Sequence, residues 1–365
     1  MFNNLKEGYM KKYILTAAFA VALTGAAQAE SLNIVSWGGA YTVSQDEAYH
    51  KPWTKKTGVK INNIDKSNNG PAGLRAQVAA GNVTWDLVDV IEYASAQLCD
   101  EGLVEKIDYD KILAKGVDGS KPSKDFIGGL NGCFIPTIVY STVFAYNTKA
   151  FSGKKPSSVK DFFNLKKFPG RRALEKRPNN NLEWALLADG VAQDDVYDML
   201  ETEAGVKRAF RKLDTIKSSI VWWSAGAQPP QLLADKEVSM ATGYNGRFFA
   251  AQVNEKQPIN IIWDAQAFEY DGWVVPKGKL NKVKDYLHFA TDSQRLADQA
   301  GWISYGPARK SSAALVGKHV KTGISMSEHM PTSPENFKTA LVINAEFWTD
   351  NGQTLTERFN AWLAK

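Results

Sequence analysis

The sequence predicts a two-lobed α/β fold in the form of a clamshell, and three observations carry that prediction. Strands alternate with helices along the 365-residue chain, the pattern of a parallel α/β sheet. Two apolar stretches, 133–147 and 260–278, are longer than an ordinary strand and can carry the chain from one lobe to the other and back. About 336 residues remain once an N-terminal leader is set aside, which suggests two lobes, not one core.

Taken in order, residues 10–29 carry two lysines, an apolar run from Ile14 to Leu23 and then Ala27-Gln28-Ala29, the layout of a cleavable signal peptide. The leader is thus expected over 1–29, with Met10 a plausible initiator and Glu30 the first mature residue. The apolar run is shorter than the roughly 20 residues that span a bilayer. "SLNIVSWGG" then reads as a strand ended by a Gly-Gly break, followed by an amphipathic helix and a second strand in "GVKINNI". A helix over 71–80, a strand over 87–91 and a helix over 94–99 repeat the plan. "CFIPTIVYSTVFAYN" is the first crossing strand. A second α/β block follows, with helices in "NLEWALLADGV", "EAGVKRAFRKLDTIKSS" and "QPPQLLADK" and strands in "IVWWS" and "VSMATGYN". "NIIWDAQAFEYDGWVVPKG" crosses back. This gives one lobe from residues 30–139 plus about 272–312, and another from 140–271 plus about 313–365.

Composition narrows the function classes. The formal net charge of +5 falls to +3 when the leader leaves with Lys6, Lys11, Lys12 and Glu7. Acids and bases alternate through "DEGLVEKIDYDKILAKGVDGSK", as on solvated helix faces, so there is no basic stripe for nucleic acid. Only two cysteines occur, Cys99 and Cys133, in a chain read as exported, and a disulfide is the economical reading. The chain lacks G-x-S-x-G, H-E-x-x-H, P-loop and C-x-x-C motifs, so an enzyme is not expected, nor a metal or cofactor.

The segments "WDLVDVIEYA…CDEGLVEKID", "IVYSTVFAYNTKAF", "VSMATGYNGRFFA", "EYDGWVVPKG" and "YGPARKSS", in this order and spacing, resemble the spermidine/putrescine-binding branch of the solute-binding proteins of ABC importers. The resemblance covers nearly the whole mature chain. It implies a periplasmic-binding-protein clamshell of type II, a monomeric periplasmic receptor that closes on a small amine, and an inner-membrane ABC permease as its partner.

In such a fold the ligand lies at the carboxyl ends of parallel strands. Trp37 and Tyr41 follow the first strand, where an aromatic face can attract an ammonium; Trp37 as plain core is the competing reading. Glu92 and Tyr93 end the third strand, although Glu92 also suits a helix N-terminus. Asp89, inside that strand, is assigned to structure. Trp222 and Trp223 lie on opposite faces of their strand, and Trp223 is placed in the cleft beside Ser224. The resemblance puts Asp271 where a carboxylate holds the ligand ammonium, with Tyr270 and Trp273 as aromatic neighbours; an internal salt bridge is the alternative for Asp271.

Arg247 complicates a polyamine site. If it faces the cleft, one cation with one or two carboxylates suits a zwitterion such as γ-aminobutyrate. If it pairs with Glu92, Asp271 or the lobe surface, a diamine fits better. Arg172 and Arg177 could also reach a ligand, with surface contacts the preferred reading. The main expectation is a receptor for an amine of the putrescine or spermidine kind, and the alternative is a receptor for an ω-amino acid.

Overall fold

The computed structural model describes residues 31–365, so the leader and its cleavage site lie outside the described residues. Ten strands form one continuous sheet: β1 (Ser31–Ser36), β2 (Lys60–Asp65), β3 (Leu87–Ile91), β4 (Ile135–Asn147), β5 (Arg172–Glu175), β6 (Ile220–Trp223), β7 (Met240–Tyr244), β8 (Ile259–Val274), β9 (Gly306–Pro307) and β10 (Leu341–Val342). The order across the sheet is β2-β1-β3-β8-β4-β7-β5-β6, with β9 on β4 and β10 on β8.

The two crossing strands join the ends of this sheet. β4 and β8 pair antiparallel from Ile135↔Trp273 to Asn147↔Ile259, with register shifts at Pro136/Ile138 and Thr142/Phe144. At one end β3 lies on residues 271–274 of β8, and the β1–β2 and β1–β3 pairs are parallel. At the other end β7 lies on residues 142–146 of β4, and the β5–β6 and β5–β7 pairs are parallel. The α/β reading therefore holds at both ends, while the connecting strands make the sheet mixed.

Burial follows position in the sheet. Every residue of β4 is buried, with β8 along one edge and β7 and β9 along the other. β2 is an edge strand, and its polar residues Lys60, Asn62 and Asn63 are exposed. Separate cores form at the two ends. One gathers Leu32, Tyr49, Trp273 and Tyr286, and the other gathers Phe144, Trp184, Phe359 and Trp362.

The helices close these cores in the way their sequences allow. Glu203–Asp214 buries Gly205, Val206, Ala209 and Leu213, an i, i+1, i+4, i+8 stripe, and Thr202 caps it by accepting from the Gly205 N–H. Ala345–Leu363 begins at Asn344, whose side chain accepts from the Phe347 N–H, and lays Trp348, Phe359 and Trp362 on the second core. Cys99, on the helix Glu92–Asp100, is disulfide-bonded to Cys133 with the Cα atoms 5.9 Å apart. No helix among the described residues is long and apolar enough to cross a membrane.

Candidate functional site

A cavity of about 340 Å³ opens between the two ends of the sheet. Its walls come from residues at or just past the carboxyl ends of parallel strands: Trp37 after β1, Ile91 at the end of β3, Glu175 at the end of β5, Ser224 after β6 and Tyr244 at the end of β7. Parallel strands joined by crossover helices all end on one side, so their carboxyl ends converge there. The volume lies within the usual range of small-molecule sites.

On one wall Asp271 is 2 % exposed and held by two uncharged donors. The Trp37 indole donates to its Oδ2 at 2.9 Å, and the Tyr41 hydroxyl donates to its Oδ1 at 2.9 Å. Tyr41 also lies 3.2 Å from Oδ1 of Asp89, whose Oδ2 accepts from the Gln45 amide at 2.9 Å. Burial pushes the Asp271 carboxyl well above its ordinary range, the charge of Asp89 adds to this, and the bonds from Tyr41 and Trp37 oppose it. Burial raises Asp89 to about 8 against the bonds from Gln45 and Tyr41. Neither carboxylate has a cationic side chain in ion-pair contact among the described residues.

Across the cavity, Arg247 sits on the short helix Asn245–Phe249 that follows β7. Its Nη2 donates to the Gly38 carbonyl at 2.8 Å, a contact between the two ends of the sheet, and its buried Nε has no partner among the described residues. The backbone at Gly39 makes room for it. That residue has φ +58°, and a Cβ there would stand 2.7 Å from Arg247 Nη1, so a side chain would be both strained and obstructive. Tyr305 packs beside Arg247; burial pushes its hydroxyl up to about 12, and the guanidinium's charge pulls the other way.

A second arginine is already compensated. Arg177 approaches Glu175 with Nε–Oε2 at 2.7 Å, although poorly aligned for a hydrogen bond, and Glu175 also accepts from the Tyr244 hydroxyl at 3.2 Å. Burial works against the Arg177 charge, and the Glu175 carboxylate restores it. Tyr41, Tyr305, Tyr140 and Tyr244 run across the cavity with successive ring centroids 6.0, 6.2 and 5.7 Å apart. Their apolar faces suit the methylenes of a short chain.

Six of the ten candidate residues line this cavity: Trp37, Tyr41, Tyr93, Ser224, Arg247 and Asp271. The other four do not. Trp223 is 1 % exposed and packs in the core with Ala173 and Leu233, while Ser224 and Gly226, past the end of β6, reach the opening. Trp222 packs against Phe359 and Trp362. Trp273 shares a face of β8 with Asp271 but lies deeper, between Tyr49 and Tyr286 at 5.7 and 5.8 Å. Tyr270 takes the opposite face, where it packs edge-on to Phe268. Glu92 starts the helix Glu92–Asp100 and turns toward Glu269 in a small separate pocket; burial raises its pKa, and the Glu269 charge adds to that.

Sequence reasoning missed Tyr140, Glu175, Tyr244 and Tyr305; of its two readings of Arg177, the surface contact it preferred gives way to the one that reaches the cavity. Arg172, the other arginine read as a surface contact, is fully buried and spends its guanidinium on the carbonyls of Phe162, Phe168 and Gly170. Glu175 and Tyr244 end β5 and β7, so the strand-end rule applied to those strands would have found them. Tyr140 sits inside a strand with every residue buried, and nothing in the sequence distinguishes it.

A fold of this kind with a solvent-open cleft between its ends defines a small-molecule binding protein. The chain belongs to the bacterial extracellular solute-binding protein family, whose model matches residues 48–332. It is 39 % identical over 370 residues to the gamma-aminobutyric acid-binding protein of Pseudomonas aeruginosa, with all of each chain covered. Among solved structures it is similar to the PBP MotA from A. tumefaciens B6 in complex with glucopine, with a TM-score of 0.81 and 29 % identity over 91 % of this chain and 99 % of that one. It is also similar to the Atu4243 GABA receptor, with a TM-score of 0.76 and 32 % identity over 92 % and 98 % of the two chains. These are two-lobed periplasmic binding proteins, so the clamshell reading stands, and the family to which the chain belongs is one of solute-binding proteins.

Proposed function

We propose that this chain is the periplasmic, monomeric substrate-binding component of an ABC importer and that its ligand is a zwitterionic ω-amino acid such as γ-aminobutyrate. The observation that carries this reading is the charge balance of one cavity. Among the described residues Asp271 is held by neutral donors alone, and Arg247 has no carboxylate partner. A ligand with an ammonium at one end and a carboxylate at the other compensates both. Arg247 pairs with neither Glu92 nor Asp271, which was the arrangement that favoured a diamine. The further acid on the far wall, Glu175, is engaged by Arg177, so a polyamine would find one free carboxylate and one opposing cation. The names of the relatives from Pseudomonas aeruginosa and of the Atu4243 receptor point the same way.

In this reading Asp271 takes the ammonium, Trp37 and Tyr41 orient it, Arg247 takes the carboxylate, and Tyr93 and Ser224 flank the ligand. The lobes are residues 30–139 with about 272–312, and 140–271 with about 313–365, Asp271 standing at their boundary where β8 runs alongside β3 of the first, and the leader over 1–29 delivers the chain to the periplasm. The test is calorimetric titration of the ligand-free mature protein with γ-aminobutyrate, putrescine and spermidine in parallel. Saturable binding of γ-aminobutyrate with at least tenfold preference over both amines is expected. Preference for putrescine would overturn the assignment.

A further inference from the structure

Building on the assignment of the ligand ammonium to Asp271, we propose that Asp89, Tyr41 and Asp271 hold one exchangeable proton in the empty site and release it when the ammonium docks, so that ligand binding is coupled to proton release.

The inference comes from counting hydrogens. Oδ1 of Asp89 and Oδ1 of Asp271 both lie within hydrogen-bond distance of the Tyr41 hydroxyl, at 3.2 and 2.9 Å. A phenol has one proton to give and an oxygen that can accept. Both contacts are full hydrogen bonds only if one carboxyl is protonated and donates to the Tyr41 oxygen while the hydroxyl donates to the other. The two Oδ2 atoms are already committed as acceptors, to the Gln45 amide and the Trp37 indole at 2.9 Å each. The shared proton therefore belongs on the Oδ1 side, facing Tyr41.

The surroundings supply no positive charge to replace it. Asp89 is 0 % and Asp271 2 % exposed. Asp89 is faced by Tyr49 and Tyr286, and Asp271 by Glu269 along its own strand and by Tyr140 and Tyr305. Arg247 lines the same cavity but donates to the Gly38 carbonyl. Two buried carboxylates converging on one oxygen without a cation do not both ionise. Burial pushes each carboxyl above its ordinary range, and at Asp271 the charge of Asp89 adds to it.

An ammonium changes that balance, since it brings a full charge and three donors to the Asp271 side of the trio. Both carboxylates are then favoured as anions, Tyr41 keeps its own proton, and the extra proton passes through the open cavity to buffer. The ligand does not supply this proton, because an alkyl ammonium titrates at about 10.4. Affinity should accordingly rise as pH rises, by up to about tenfold per unit while the pair holds its proton, and level off once the pair is ionised without ligand. Asp89 thus becomes a positioning residue: it sets the protonation state of the carboxylate that binds.

The experiment is titration of the mature protein with γ-aminobutyrate at pH 6.5 in phosphate and in imidazole, whose protonation enthalpies differ, repeated with Asp89→Asn. Release of about one proton per ligand by the native protein, falling by nearly as much in the variant while binding persists, is expected. Binding with no proton release in the native protein would overturn the inference and leave the ω-amino acid reading standing. If γ-aminobutyrate does not bind and putrescine does, that reading fails, and the proton count with putrescine judges the inference. A ligand-free measurement stands beside these. The infrared difference spectrum between native protein and Asp89→Asn at pH 6.5 should show loss of one protonated-carboxyl band, and its absence would count against the shared proton whatever the ligand.

Discussion

Arg247 spends Nη2 on the Gly38 carbonyl and keeps a buried Nε without a partner, so the guanidinium is held in place while part of its donor fork is free. Charge-assisted, bidentate bonds to a carboxylate are among the stronger ones a side chain can make. We expect Arg247→Ala to weaken γ-aminobutyrate binding by more than tenfold while leaving putrescine affinity unchanged or improved, read by parallel titration. An unchanged affinity for γ-aminobutyrate would move the carboxylate to another donor, with Arg177 the first to consider. At this scale the sequence showed which chemistry to look for but not which side chains face the opening. Asp271 and Trp273 share a strand face, yet one reaches the cavity and the other lies between Tyr49 and Tyr286, since depth along a strand is set by the helices above it. Asp89 looked structural because it lies inside a strand; only the three-dimensional approach of Tyr41 joins it to Asp271.

The elements were more legible than the residues, for a physical reason. β4 has no exposed residue, and its enrichment in β-branched and aromatic residues is what marks a long apolar run as an interior strand. The parity of β6 was legible as well, but not that both of its faces are covered, because the covering helices come from distant parts of the chain, Ala345–Leu363 among them. The helix Glu92–Asp100 shows how an element is fixed to serve the site. Its first turn supplies Tyr93 and Ala94 to the cavity wall, and its last turn is tied to Cys133, just ahead of β4, by the disulfide. The bridged cysteines are 34 residues apart, and closing a loop of that length stabilises the fold by about 3 to 4 kcal/mol in the chain-entropy model. Replacing both cysteines with serine should lower the unfolding free energy by that order in urea titration. The tether lies at the far end of the helix from the cavity, so the affinity for γ-aminobutyrate should change less than threefold. A large loss of affinity at unchanged stability would give the disulfide a role in shaping the site instead.

At the scale of the whole molecule, the two ends of the sheet meet around the cavity through few polar links, one of them the bond from Arg247 to Gly38. Trp37, Tyr41 and Asp271 stand on the β1–β3 side, and Ser224, Tyr244 and Arg247 come from the β5–β7 side. A ligand that touches one side only cannot favour a closed arrangement over an open one, because an equilibrium shifts only by the difference in affinity for its two states. A ligand with opposite charges at its two ends touches both, and closure follows as rotation about the crossing strands β4 and β8. γ-Aminobutyrate should therefore reduce the radius of gyration measured by solution X-ray scattering. At a concentration about 100 times its Kd it should also add about 2.7 kcal/mol to stability. Butylamine and butyrate, which each carry one end of that ligand, should bind more weakly and leave the radius of gyration unchanged even at saturation. Compaction by butylamine alone would mean that Asp271 and the aromatic residues around it drive closure without Arg247, and the receptor would then be reading positive charge after all.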